Sequence, residues 1–112
     1  MATIANLQID QGADFTTTIN LDNTDGTDFD LTGYTVKSQM AKTYASSTKT
    51  SITAAISNAT AGEITLTLTN TQTTALSAGR FVYDVEITQT SGGAKTRVIE
   101  GQITVHPQVT ST

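Results

Sequence analysis

The sequence has no cysteine and no tryptophan, one histidine, one proline and only three Phe and three Tyr. Without cysteine there are no disulfides, no thiolate metal ligands and no cysteine nucleophile. That is compatible with a reducing cytosol and does not exclude a later extracellular life. Charge is scarce as well, at 14 % of residues with a net charge of −4 and a pI near 4.6. The six cations (Lys37, Lys42, Lys49, Arg80, Lys95 and Arg97) are scattered along the chain, which gives no electrostatic footprint for nucleic acid. No apolar run approaches the length of a membrane span. Met1 leads into ATIANLQID, with neither the basic nor the apolar region of a secretion signal. The expectation is a soluble protein made in a cytoplasm, with no nucleic-acid or membrane partner.

Threonine fills the space these absences leave: 25 of 112 residues. A β-branched side chain with a hydroxyl favours the pleated backbone and tolerates water, so a Thr-rich, charge-poor chain points to exposed strands. A disordered polar tract would lack periodic apolar residues and would carry more net charge. The length suits one domain with one core.

Period-two alternation recurs along the chain. Thr3–Asp10 is a modest first strand with Leu7 and Ile9 on one face. Phe15, Thr17, Ile19 and Leu21 define a second. Residues 22–30, DNTDGTDFD, are dense in turn formers, and Leu31-Thr32-Gly33 closes that loop. Tyr34–Ala41 alternates again, and Lys42–Thr50 reads as a mobile loop or weak edge. Ser51–Asn58 and Glu63–Thr69 are further strands. Asn70–Ala78 breaks the period, which suggests one short helical turn near 70–78 with Leu76 tucked inward. Arg80–Thr88, RFVYDVEIT, sets Phe81, Tyr83, Val85 and Ile87 against Val82, Asp84, Glu86 and Thr88. In Lys95–Val105 the phase shifts near Val98-Ile99, with Gly101 close by, which suggests a β-bulge. His106-Pro107 ends the strand. About seven strands at spacings near ten residues fit an antiparallel β-sandwich over residues 1–107, with a polar tail at 108–112.

Each candidate for chemistry has a plainer reading. His106 stands at a strand end with Glu100 as the nearest acid and no nucleophile elbow, so a Ser-His-Asp arrangement is not expected. Asp22, Asn23, Asp25, Asp28 and Asp30 suggest a calcium loop, but with Gly26 at the sixth position Leu21 falls at the first and Thr32 at the twelfth, which fails at both ends. A turn whose Asp and Asn side chains bond their own backbone fits better. Asp84 and Glu86 share a polar strand face. They read as solvated, or as partners of Arg97 or Lys95 across the hairpin, because acid–base work requires a cleft that raises one pKa. Phe29 and Tyr44 are the loop aromatics left over for a sugar platform, although loop aromatics more often pin a loop to the core. No enzyme, cofactor or metal site is expected.

The run Phe29-Asp30-Leu31-Thr32-Gly33-Tyr34-Thr35-Val36, followed by Gly62-Glu63-Ile64-Thr65-Leu66, Ala78-Gly79-Arg80-Phe81-Val82-Tyr83-Asp84-Val85 and Glu100-Gly101-Gln102-Ile103-Thr104-Val105, resembles small Ig-like modules in virion proteins of tailed bacteriophages, such as the N-terminal domain of baseplate upper proteins. The resemblance spans nearly the whole chain through short motifs. It implies an Ig-like antiparallel β-sandwich and a non-enzymatic structural role in the virion: tail, baseplate or neck, with capsid decoration as the alternative. The partners it implies are other virion proteins, contacted in symmetric copies. Family examples head longer proteins, and this chain ends just after the module, so its work is expected in its surfaces. The expected contact residues are Val98, Ile103 and Val105 on a last strand open to augmentation. A glycan-binding role would use Phe29, Tyr44 and the loop at 22–30.

Overall fold

The computed structural model describes residues 3–22 and 26–109. The fold is mostly β with one short helix: β1 (Thr3–Ile4), β2 (Leu7–Asp10), β3 (Phe15–Asn20), β4 (Tyr34–Ala41), β5 (Thr50–Asn58), β6 (Glu63–Leu68), α1 (Asn70–Thr74), β7 (Gly79–Gln89) and β8 (Lys95–His106). The eight strands form a single mixed sheet, curled as a half-barrel, in the order β1-β8-β7-β4-β5-β6-β3, with β2 also on β8.

The expected antiparallel sandwich of about seven strands is therefore corrected on three counts. β5 bridges what would have been two sheets: Thr50 to Ile52 pair with β4, and Thr53 to Asn58 pair with β6. The hydrogen-bonded path is thus continuous round the bend, and one sheet folds over its own core. The N-terminal strands pair with β8 in parallel, Thr3 opposite Ile99 and Leu7 opposite Ile103, so the sheet is mixed. The single strand expected over Thr3–Asp10 is also broken in two at Ala5-Asn6.

That break has a local cause. Gly101 lies opposite Tyr83 on β8, and a Cβ at Gly101 would overlap the Ala5 carbonyl oxygen. The same oxygen accepts a hydrogen bond from the Tyr83 hydroxyl at 2.6 Å. Asn6 Oδ1 accepts from the Gln102 amide at 3.1 Å. The chain dips onto the glycine at Ala5, meets the buried phenol, and resumes pairing at Leu7.

The inward residues of the strands fill the concave side: Ile9, Met40, Ile52, Ile64, Leu66, Leu68, Phe81, Tyr83, Val85, Ile87, Ile99, Ile103 and Val105 are all buried. Phe15, Ile19 and Val36 pack against them from partly exposed positions. The outward face of the far half of the sheet explains much of the threonine. Thr16 faces Thr67 and Thr18 faces Thr65 across β3 and β6. Their hydroxyls join a chain from Thr18 to Thr65 (3.3 Å), Ser57 (3.0 Å) and Glu63 (2.8 Å).

α1 opens with a capping box. The Thr69 hydroxyl accepts from the Gln72 amide, and the Gln72 side chain accepts from the Thr69 amide at 2.9 Å. The cap is Thr69 rather than Asn70 or Thr71, the two residues the sequence offers for it, and Leu76 is buried as expected. The fully buried Thr73 hydroxyl donates to Ala13 O and accepts from Gly12 N, at 2.9 and 3.1 Å. The β2–β3 turn is thereby fastened to the helix.

The loop before β4 is built by the D-L-T-G step. Asp30 Oδ1 accepts from the Thr32 amide at 2.9 Å, and bonds to the Thr32 side chain and backbone hold the Asp30 carboxyl below its ordinary value. Leu31 is buried and donates its amide to Ala59 O. Gly33 adopts φ 85°, and its carbonyl accepts from both Thr90 N and Thr90 Oγ1. Gly62 is equally constrained, with φ 69° and backbone oxygens of Phe29 and Leu21 where a Cβ would lie. The motif is scaffold: it seats one apolar side chain and ties three loops together.

Candidate functional site

Two surfaces stand out once the core and its ties are accounted for. One is the longer of the sheet's two free edges, at β3. The other is a polar trough on the outer face of β4, β7 and β8.

β3 is the last strand on the path and pairs only with β6. The Leu21 amide donates to Gly62 O, which continues the β3–β6 ladder through the odd-numbered residues. Antiparallel alternation then directs the backbone N–H and C=O of Thr16, Thr18 and Asn20 away from the sheet. None of FTTTIN is charged, and it contains neither proline nor bulge. Phe15, Thr17 and Ile19, which face the core side, are only half-buried because no strand follows among the described residues.

The trough is assembled by a bulge. Val85 pairs with Ile99 and Glu86 with Arg97, which leaves Val98 as the extra residue of β8. Strict alternation from the buried Ile99 would turn Arg97 and Lys95 inward; the bulge returns both to the outer face. Three cross-strand rows result: Lys37-Glu86-Arg97, Gln39-Asp84-Glu100 and Thr35-Thr88-Lys95. Arg97 is held between two carboxylates, with Nε 3.2 Å from Asp84 Oδ2 and Nη1 3.3 Å from Glu100 Oε2. The 42–49 loop folds beside these rows, braced by Ser46 N to Thr43 O (3.1 Å) and Ser46 Oγ to Thr48 O (3.0 Å). It brings Tyr44 and Lys49 to a recess of about 240 Å³ that Gln39, Asp84, Glu86 and Arg97 also line. A second recess of about 100 Å³ shares Gln39, Asp84 and Glu86 with the first and adds Lys37, Thr88 and Lys95.

The residues expected to form a contact surface divide sharply. Tyr44 is exposed and lines the trough. Phe29 is half-buried, packs on the core and lies against Tyr34 at 6.0 Å between ring centroids, so it does not share a platform with Tyr44. Val98 is the bulge residue and is half-buried against the core. Ile103 and Val105 are fully buried, and the outer edge of their strand is taken by β1 and β2 of the same chain. The expected augmentation site on β8 is thereby corrected: that edge is filled by two short strands, and the longer free edge among the described residues is β3.

The expected cross-hairpin pair of Asp84 with Arg97 is present, and Asp84 and Glu86 both line the trough. The reading of the cations as scattered is corrected, because Lys37, Lys49, Lys95 and Arg97 meet on one face. Arg97 and Lys95 were legible as cross-hairpin partners, and the phase shift at Val98 is the signal that turns both outward; nothing in the sequence places Lys37 and Lys49 beside them.

His106 Nε2 lies 3.1 Å from Gln8 Oε1 across the β2–β8 pair. Asp22 and Asp28 form an isolated backbone bridge, and no cluster of three potential metal ligands occurs among the described residues. Asn23 and Asp25 of the calcium-loop reading lie outside the described residues, as do residues 110–112 of the tail. Gln108 of that tail donates its amide to Gln11 Oε1 at 3.1 Å. Compared with protein-family models and with curated proteins, the chain matches none.

Proposed function

We propose that the chain is a non-enzymatic structural component of a tailed-phage virion that docks onto other virion proteins, in symmetric copies, through the outer edge of β3. The observation that carries the docking reading is the unguarded edge. Natural sheets blunt exposed edges with charge, proline, a bulge or very short strands, because free N–H and C=O groups template pairing with another chain. β3 has six residues and none of the first three devices. Its inward side chains Phe15 and Ile19 are half-exposed at the rim of the core, so a partner strand would cover apolar surface as well as satisfy backbone groups. The virion setting rests on the resemblance carried by Asp30-Leu31-Thr32-Gly33 and the later motifs. Tail, baseplate or neck is preferred, with capsid decoration as the alternative.

Quantitative mass spectrometry of purified virions tests this reading. The chain should be present at a copy number matching a symmetric ring or lattice, and Thr18→Pro, which removes one outward N–H without breaking the β6 ladder, should fold yet be lost from particles. Absence of the wild-type chain from particles contradicts the reading, as does undiminished incorporation of Thr18→Pro.

A further inference from the structure

We propose that the trough on the outer face of β4, β7 and β8 is a binding site for an acidic saccharide. This site is separate from the β3 edge and does not depend on the docking reading.

Three observations converge on the class of ligand. The first is charge. The chain carries a net charge of −4 with six cations, yet four of them (Lys37, Lys49, Lys95 and Arg97) line these two adjoining recesses against two carboxylates, Asp84 and Glu86. Glu100, which holds Arg97 from the neighbouring row, still leaves cations in excess. In a protein whose remaining charge is negative, such a face attracts anions.

The second observation is the placement of the carboxylates in the middle. Asp84 and Glu86 belong to both recesses. A uniformly charged strand such as nucleic acid or a poly-acidic peptide would run directly against them. A saccharide carrying one acid per repeat does not, because its hydroxyls donate to carboxylate oxygens, which are acceptors only. Its own acid groups then fall to the flanking lysines. Gln39, between the two recesses, offers both a donor and an acceptor. A neutral sugar would leave the lysines without a role.

The third is Tyr44, which lines the larger recess and is 62 % exposed. An exposed ring with a polar tip suits the apolar face of a pyranose while its hydroxyl remains in water. The open trough, about 240 and 100 Å³ in its two parts, suits a short stretch of chain. Arg97, pinned by Asp84 and Glu100, presents its remaining donors from a fixed position.

An array of uronate-bearing, sialylated and neutral oligosaccharides, with poly-glutamate as a control, provides the test. The wild-type protein should be retained on acidic glycans alone, with retention falling as salt rises. Tyr44→Ala and Lys49→Glu, both at exposed positions that leave the core intact, should each weaken binding by roughly tenfold or more. The proposal is overturned if no acidic glycan is retained, if neutral glycans or poly-glutamate bind equally well, or if both folded variants bind as the wild type does.

Discussion

At the scale of single residues, the contact of Tyr83, Gly101 and Ala5 does more than any other to fix the N-terminal strands. The Tyr83 residue is 2 % exposed, its hydroxyl donates to Ala5 O, and burial pushes its pKa up to about 12. The sign follows from linkage: the unfolded phenol ionises near 10, so the stabilisation is complete below that pH and is lost as pH rises through 12. Denaturant midpoints should therefore fall between pH 10 and 12. Tyr83→Phe should flatten that decline while lowering stability by about 1 kcal/mol at neutral pH, because the Ala5 carbonyl loses its donor. Gly101→Ala should cost about 1–3 kcal/mol by forcing the Ala5 backbone away, and amide exchange should rise first in β1 and β2. Conversely, Asp84→Asn should fold normally and cost less than about 1 kcal/mol, since its pair with Arg97 is partly exposed and screened. Urea denaturation of each variant checks these values.

At the scale of elements, the bulge at Val98 links fold to surface. It lets one strand bury Ile99, Ile103 and Val105 while turning Arg97 and Lys95 outward. Deleting Val98 would remove the bulge while leaving Ile99 opposite Val85 and Arg97 opposite Glu86, with both cations outward, so the variant should still unfold cooperatively in urea, destabilised by about 1–2 kcal/mol through the lost apolar contact. Arg97→Gln, which keeps the bulge, should unfold much as the wild type does. Elements were where the sequence was most legible. Tyr34–Ala41 was bounded as observed, Arg80–Thr88 lies within β7, and the phase shift at Val98 reported the bulge, because strict alternation is imposed by a buried face and an exposed one. The Ala5-Asn6 break was not legible. Nothing in the local pattern of Thr3–Asp10 records that a glycine nearly a hundred residues away admits its backbone.

Across the whole molecule, the pairing partners decide what is surface, and alternation is silent about partners. Each strand's inward residues could be named from the chain, whereas the use of β5 by both β4 and β6 depends on where its neighbours sit. That one fact replaces two sheets with a curled one. The parallel addition of β1 and β2 to β8 likewise closes the edge that Ile103 and Val105 would otherwise have left open, while β3 ends the sheet at its other side. Charge shows the same limit: Lys37, Lys49, Lys95 and Arg97 are dispersed in sequence and are gathered only by the order of β4, β7 and β8. Tyr44 was recognisable as a spare aromatic, and its neighbours were not. The central claim is that β3 is an edge made for a partner, and amide hydrogen exchange tests it most directly. Thr16, Thr18 and Asn20 should exchange rapidly in the isolated protein and become strongly protected in purified virions, while Thr17 and Ile19, bonded to β6, are protected in both. Equal, rapid exchange of the three outward amides in assembled particles would contradict the account.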